Sequence, residues 1–430
     1  MTSVNIPDGV TSIGESTFYN CSSLSSIVIP DGVTSIGGRA FYNCSALSSV
    51  NIPDGVTSIN SATFYNCSSL STIDIPDGVT SIGGEAFYNC SSLTSINIPD
   101  GVTSISKETL YNCFSLLTIN IGEGLTFIDS GVFHSCISLK SVHITDLSAW
   151  CKITFDNGSS NPLCNGAKLY LDNHELTELV IPEGVTEIKD NAFYNCPSIT
   201  SVNIPDGVTS IGSWAFSKCS SLSSVTIGDG VRTMGKSAFK LCDMLHSVYI
   251  TNLSAWCKIV FSDLYSNPLN NYRYGSNLYL NGKILVELII PEDITEIKDY
   301  VFVGCHTIAT VAMGDGVTMI GAHAFQDCDY LSSITIGNGV ISIGDNAFFD
   351  CDGISSIAIG AGVITIGKGA FCSCETLTRY VCYPTTPPVI EGTLTDSNKD
   401  KRILHVPTGC SVKYEETSWK DYFTNIVEME

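Results

Sequence analysis

Charge, and positive charge above all, is what this chain has least of. Its 430 residues hold 21 Lys and Arg against 43 Asp and Glu, a formal net charge of 21 − 43 = −22, and only 15% of the chain is charged, against about 25% in ordinary globular proteins. Nucleic-acid binders need clustered cations against phosphate, so that class is excluded. Long hydrophobic runs are missing too. The best stretch, Ile284 to Ile290, is short and contains Glu287, far from the roughly 18 apolar residues of a membrane span, so no membrane insertion is expected. The opening Met1-Thr2-Ser3-Val4-Asn5-Ile6-Pro7 has neither the basic nor the apolar stretch of a signal peptide. Nothing reads as a Gly-x-Ser-x-Gly elbow, a phosphate loop, a dinucleotide fingerprint or a His-Glu-x-x-His site, and the seven histidines fall at unrelated positions. No catalytic, cofactor-binding or metal-binding constellation is therefore expected, and the chain does not read as an enzyme.

What is present is a repeat. Cys21, Cys44, Cys67, Cys90, Cys113 and Cys136 are each 23 residues apart; so are Cys196, Cys219 and Cys242, and again Cys305, Cys328, Cys351 and Cys374. The unit around each reads, in its second copy, Leu24-Ser-Ser-Ile27-Val-Ile29-Pro30-Asp31-Gly32-Val33-Thr-Ser-Ile36-Gly-Gly-Arg-Ala40-Phe41-Tyr-Asn-Cys44. A fixed period of this length means stacked coils, each unable to bury its apolar side alone.

Each column has a physical reading. Leu24, Ile27 and Ile29 alternate with Ser26 and Val28 as a strand does. Pro30 ends that strand because it cannot donate to a continuing ladder. Asp31-Gly32 is turn chemistry, with glycine expected to supply a positive φ. Val33, Ile36, Ala40 and Phe41 return the chain across the core.

These residues resemble leucine-rich repeats, specifically the BspA-like group with its IPxxVTxIGxxAFxxCxxL unit. The resemblance spans nearly the whole chain. It implies a repeat solenoid, right-handed, with a parallel β-sheet on its concave face, mostly β and irregular coil with little helix. It further implies a cell-surface or secreted protein that binds host extracellular matrix proteins or other cells.

Two insertions break the rhythm, at about 145–181 and 251–290, and they match each other. Leu147-Ser-Ala-Trp150-Cys151-Lys-Ile corresponds to Leu253-Ser-Ala-Trp256-Cys257-Lys-Ile, followed in both by Asn-Pro-Leu and Leu-Tyr-Leu. Next come Asp172-Asn173 and Asn281-Gly282, the second a strong hairpin signal. Each insertion reads as a variant coil plus a hairpin that rejoins the sheet. The solenoid is expected over 1–378 and a capping segment over 379–430, with a strand at Ile403 to Val406 and a short helix from Tyr414 to Ile426. Because Met1 falls in the column of Leu24, the chain reads as a fragment.

Thirteen of the nineteen cysteines share one column, where they read as small apolar fillers rather than redox or metal groups. In-register thiols aim the same way, which suits disulfides poorly. A second column, Asp8 through Asp315, is acidic in eleven of thirteen units. It reads as turn residues; Ca²⁺ or a basic partner is the functional alternative.

Constant columns hold a scaffold, and varied ones are free to carry specificity. On the sheet face the outward column varies, and Asp74, Asn97, Asn120 and His143 stand on consecutive rungs beside the first insertion. The loop with Tyr272, Arg273 and Tyr274 has the composition of interface anchors. These seven are the candidate partner-binding residues. The function expected is a noncatalytic surface adhesion or binding module recognising a protein or glycan through the sheet face. The alternative is a structural spacer or stalk in a larger surface protein.

Overall fold

The computed structural model describes residues 2–270, 275–396 and 399–430. They divide into two compact units, Met1–Thr200 with Trp214–Leu222, and Ser201–Ser213 with Ser223–Glu430. Each unit is a repeat solenoid of parallel strands with little helix.

In the first unit the face strands include Ser3–Asn5, Ser26–Val28, Ser49–Asn51, Thr72–Asp74, Ser95–Ile98, Thr118–Ile121, Ser141–Ile144 and Lys168–Leu171. Neighbours pair in parallel one repeat out of step, as in Thr118 opposite Ser95 and Ser141. Along Ser26–Val28, Ser49–Asn51 and Thr72–Asp74 the middle residue is buried and its flanks face out, as period-two geometry requires. The second unit repeats the pattern from Ser201–Ile204 to Ser247–Ile250 and Asn277–Leu280, and again from Glu287–Ile289 onward.

A second row of strands is an addition that the sequence pattern did not separate from the return path. The Thr-Ser-Ile step of each coil forms a two-residue strand, Ser35–Ile36 in the unit quoted above, which pairs in parallel with Ser12–Ile13. Ser58–Ile59, Ser81–Ile82, Ser104–Ile105, Phe127–Ile128 and Thr154–Phe155 continue this row. Two parallel sheets thus enclose the core, which explains why Val33 and Ile36 are fully buried while Thr34 and Ser35 are exposed.

Inside, equivalent side chains lie on one another. Phe18, Phe41, Phe64 and Phe87 stack at 5.3 to 5.6 Å, and Phe302, Phe325, Phe348 and Phe371 do the same in the second unit. Truncating one such buried ring to Ala costs about 3–5 kcal/mol in comparable cores. All nineteen cysteines are free, and the column members from Cys44 on are buried. Many are more than fillers and donate the thiol to the carbonyl of a Phe in the preceding coil, as Cys44 does to Phe18 at 3.1 Å, Cys67 to Phe41 at 3.2 Å and Cys374 to Phe348 at 3.0 Å, whereas Cys136 donates to the Leu110 carbonyl. Burial pushes the Cys44 thiol up to about 12.

The turn glycines act differently from expectation. None of the column glycines has positive φ. A Cβ on Gly124 or Gly230 would instead lie 2.0 or 1.8 Å from the carbonyl oxygen of the aspartate in the coil before, Asp100 or Asp206. Close approach, not turn handedness, demands glycine there. Left-handed backbone falls on other residues, two per coil, such as Arg39 (φ 56°) and Asn43 (φ 57°). Asparagine suits the second site because its short side chain tolerates that region. The side chains of Asn20, Asn43, Asn66 and Asn89 form an amide ladder, with Asn43 donating to Asn20 and Asn66 to Asn43 at 2.8 Å. These are the same asparagines that carry the Asn-Cys-Ser triplets.

Each insertion is a coil followed by a hairpin. Each opens with a short helix, Leu147–Lys152 or Leu253–Cys257, capped by Asp146 or Asn252. The shared Trp and Asn-Pro-Leu motifs are anchors. Trp150 and Asn161 both donate to the carbonyl of Ala192, and Trp256 and Asn267 both donate to that of Val301.

Beyond 378 the chain adds further rungs to the sheet. Arg379–Cys382, Ile403–Val406 and Asn425–Glu428 each pair in parallel with the strand before. The expected Tyr414–Ile426 helix is only Ser411–Glu415 in α form, then a 3₁₀ turn at Ser418–Asp421. Tyr414 and Trp419 turn inward and donate to the carbonyls of Pro384 and Pro388, so the run is too tightly tied to stay helical.

Two predictions arise from the left-handed column. Leu241 holds φ 61° with its side chain 45% exposed, a conformation that costs a nonglycine residue about 1–2 kcal/mol. Leu241→Asn should therefore stabilise the protein by about 0.5–1 kcal/mol, read as a higher urea midpoint at unchanged slope. In the second unit Asp327 stands where the first unit has its amide ladder. Partial burial, with Asp350 and Asp329 nearby, raises its carboxyl from 3.8 to about 6. Since the folded state holds this proton more tightly than the unfolded one, stability falls as pH rises from about 4 to about 6. Asp327→Asn should remove that slope and stabilise by about 1 kcal/mol at pH 7, the value discounted for solvent screening, and by nothing near pH 4. Equal midpoint shifts at both pH values would count against this account.

Candidate functional site

A concavity of the first unit lies on its sheet face, against the first hairpin. It is a groove of about 510 Å³ lined by Asn97, Asn120, His143, Thr145, Asp172 and Asn173, together with Asp77, Asp100 and Glu123. The first three are the varied outward residues of consecutive strands, paired Asn97 to Asn120 to His143. The hairpin wall exists because Lys168–Leu171 turns back into His174–Glu175 through Asp172 and Asn173, both at positive φ (49° and 64°). These are the handed turn conformations that fit strand twist. The wall is tied to the floor: His143 lies flat on Tyr170 at 4.7 Å, and its Nδ1 is 3.2 Å from Asn173 Oδ1.

The acidic turn column enters the same groove, three residues beyond each outward residue: Asn97 with Asp100, Asn120 with Glu123. Part of its role is structural. Asp100 accepts the backbone N–H of Glu123 at 3.0 Å, and Glu123 accepts the hydroxyl of Thr145 at 2.8 Å. With Asp77 and Asp172 the groove holds four carboxylates and no lysine or arginine in its lining. Neighbouring unit charges at about 4 Å in water repel by only about 1 kcal/mol, so the arrangement stands without a counter-ion. Among the described residues no group of three His, Cys, Asp or Glu converges in a metal-holding arrangement.

Of the seven candidate residues, the structure brings Asn97, Asn120 and His143 together. Asp74 is exposed on the neighbouring strand, opposite Asn51, and is not part of the groove lining. Tyr272, Arg273 and Tyr274 lie outside the described residues. The carboxylates and the hairpin turn were missing from the candidate set. The i+3 spacing between outward and acidic columns was the available signal.

The second unit carries the same frame with other side chains. Asp229 accepts the hydroxyl of Thr251 at 2.8 Å and donates its N–H to Asp206. Tyr249 and Tyr279 stack at 4.7 Å where the first unit has His143 and Tyr170. The hairpin turn is Asn281-Gly282.

One stretch does carry phosphate-loop spacing, contrary to the expectation that none occurs: Gly230-Val-Arg-Thr-Met-Gly235-Lys236-Ser237. Its backbone amides are already committed. Gly235 donates to the Ile211 carbonyl, and Ser237 donates its N–H to Asp263 at 3.0 Å. Thr233–Met234 is a sheet strand, and no helix follows. A phosphate cradle requires free amides at a helix N-terminus, so the match is only in letters.

The family model for the BspA type leucine rich repeat region (6 copies) matches residues 1–85, 57–160, 166–280 and 273–390. Among solved structures, a leucine-rich repeat protein of Bacteroides ovatus is similar at TM-score 0.51 and 25% identity, over 100% of this chain and 92% of that one. A leucine rich cell surface protein of Faecalibacterium prausnitzii is 26% identical over 93% of this chain and 89% of its own, at TM-score 0.31. The pneumococcal vaccine antigen PcpA is 14% identical over 100% and 89%, at TM-score 0.37. No curated protein matches the chain in sequence. The repeat, its two parallel sheets and the family match over nearly all of its length agree: this chain belongs to the BspA-type leucine-rich repeat family.

Proposed function

We propose that this protein is a noncatalytic binding module of the cell surface or of the secreted fraction, and that it recognises a protein or glycan partner through the sheet-face groove of its first unit. The family is one of repeat proteins compatible with surface binding or adhesion. Leucine-rich solenoids are in general noncatalytic, and no helix among the described residues is long and apolar enough to cross a membrane. The observation that carries the reading is the groove itself. Varied polar side chains, Asn97, Asn120 and His143, stand on an otherwise constant scaffold and are walled on one side by a hairpin that the regular repeat does not contain. A pure spacer has no use for such a wall. The four carboxylates favour partners that present cationic groups or hydrogen-bond donors, such as basic segments of extracellular matrix proteins, other surface proteins or polyhydroxylated glycans.

Interface energy concentrates in a few residues, so central substitutions suffice as a test. Asn97→Arg with Asn120→Arg puts two bulky cations in the groove without touching the core. Against immobilised matrix proteins and a glycan array, the wild type should bind a partner and the double variant should lose at least about tenfold in affinity, about 1.4 kcal/mol. Equal binding by both would remove this groove as the site. Binding of no partner at all would favour the spacer.

A further inference from the structure

A different feature of the first unit has no part in that reading. Just before the amide ladder, five consecutive coils each place a phenol on the surface. Tyr19, Tyr42, Tyr65, Tyr88 and Tyr111 stack face to face, with centroids 4.5 to 4.9 Å apart and ring planes within 2° to 8° of parallel. The backbone holds this register. Asn20, Asn43, Asn66 and Asn89 each donate an N–H to the tyrosine carbonyl of the next coil at 2.7 to 2.8 Å. The ring faces cover one another, so they offer no platform to a ligand. The edges remain open to solvent: Tyr19 is 44% exposed and the others are half-buried. Glu85 and Glu108 lie close enough to push the Tyr88 phenol upward, after burial and Tyr111.

We propose that this phenol stack is an oxidative cross-linking site, at which a one-electron oxidant of the peroxidase and hydrogen peroxide class joins adjacent coils by dityrosine bonds. Loss of one electron and the phenolic proton from a tyrosine leaves a radical whose unpaired density sits in the π orbital at the ring carbons ortho to oxygen. That orbital points along the stacking axis, toward the neighbouring ring. Oxidation of the neighbour gives a second radical. The two ortho carbons then form one C–C bond, and the two hydrogens on those carbons leave as the rings regain aromaticity and their hydroxyls. The balance is two tyrosines plus one hydrogen peroxide, giving one dityrosine and two waters. The carboxylates of Glu85 and Glu108 and bulk water take up and return the protons. Rings in separate coils of an ordinary fold meet by chance, whereas here the 23-residue register repeats the encounter four times. The product is a covalent rung between coils otherwise joined by hydrogen bonds and packing alone.

The test treats the full-length protein with a haem peroxidase and hydrogen peroxide, N-acetyltyrosine serving as a reference in a parallel reaction. Cleavage before Asp31, Asp54, Asp77 and Asp100 puts each phenol on its own peptide. The expected result is dityrosine fluorescence in protein that stays monomeric on a denaturing gel, with mass lower by two hydrogens per bond and linked peptides joining Tyr42 to Tyr65 and Tyr65 to Tyr88. Tyr42→Phe with Tyr88→Phe should abolish those links while the thermal midpoint stays unchanged, since Phe349 already occupies this column in the second unit. Four results would overturn the proposal: no links while N-acetyltyrosine couples, links only between molecules, links confined to the Tyr249–Tyr279 pair, or links that survive in the double variant.

Discussion

The hydrogen-bond register between one coil and the next, 23 residues on, is the constraint on which everything else in this protein depends. Once Ser95, Thr118 and Ser141 are paired strand to strand, each side chain has a near-identical neighbour one strand spacing away. Whatever chemistry a column carries is then multiplied. Phenylalanines become a stacked core, asparagines an amide ladder, and thiols a series of donors to phenylalanine carbonyls. At several turns, Gly124 and Gly230 among them, glycine is required for the same reason, because successive turns approach more closely than a Cβ permits.

Multiplication has a cost where the repeated group is charged. The acidic turn column tolerates it, since those carboxylates sit in water and several accept a backbone N–H from the next turn. In the left-handed column the second unit replaces asparagine by Asp327 and Asp350, half-buried and near other carboxylates, and both carboxyls are raised. Identical physics makes one column a ladder and the other a source of pH dependence. Exposure and the availability of a donor decide between them.

The regular pattern changes where the repeat is interrupted. The two insertions share their anchors, Trp150 with Asn161 and Trp256 with Asn267, so the frame around each hairpin is alike. Residues on the outer face differ: His143 in one against Tyr249 in the other, each stacked on a hairpin tyrosine, and Asp172-Asn173 against Asn281-Gly282 at the turn. A scaffold held by buried anchors leaves surface residues free to change without loss of stability.

By itself the sequence determined the period, the buried columns, the hairpins and the family, because these follow from local rules. Apolar alternation, strand-ending prolines and Asn-Gly turns act within a few residues, and the 23-residue spacing is countable. The reason for the turn glycines, the second sheet, the strands at Arg379–Cys382 and Asn425–Glu428, and the place of the left-handed residues were not legible. Each is decided by how near one coil comes to the next, a distance absent from any single repeat. The candidate site divides the same way. Asn97, Asn120 and His143 were visible as varied positions on a constant face. That they share a groove with Asp77, Asp100, Glu123 and the Asp172-Asn173 turn was decided only by folding, which sets residues from five coils side by side.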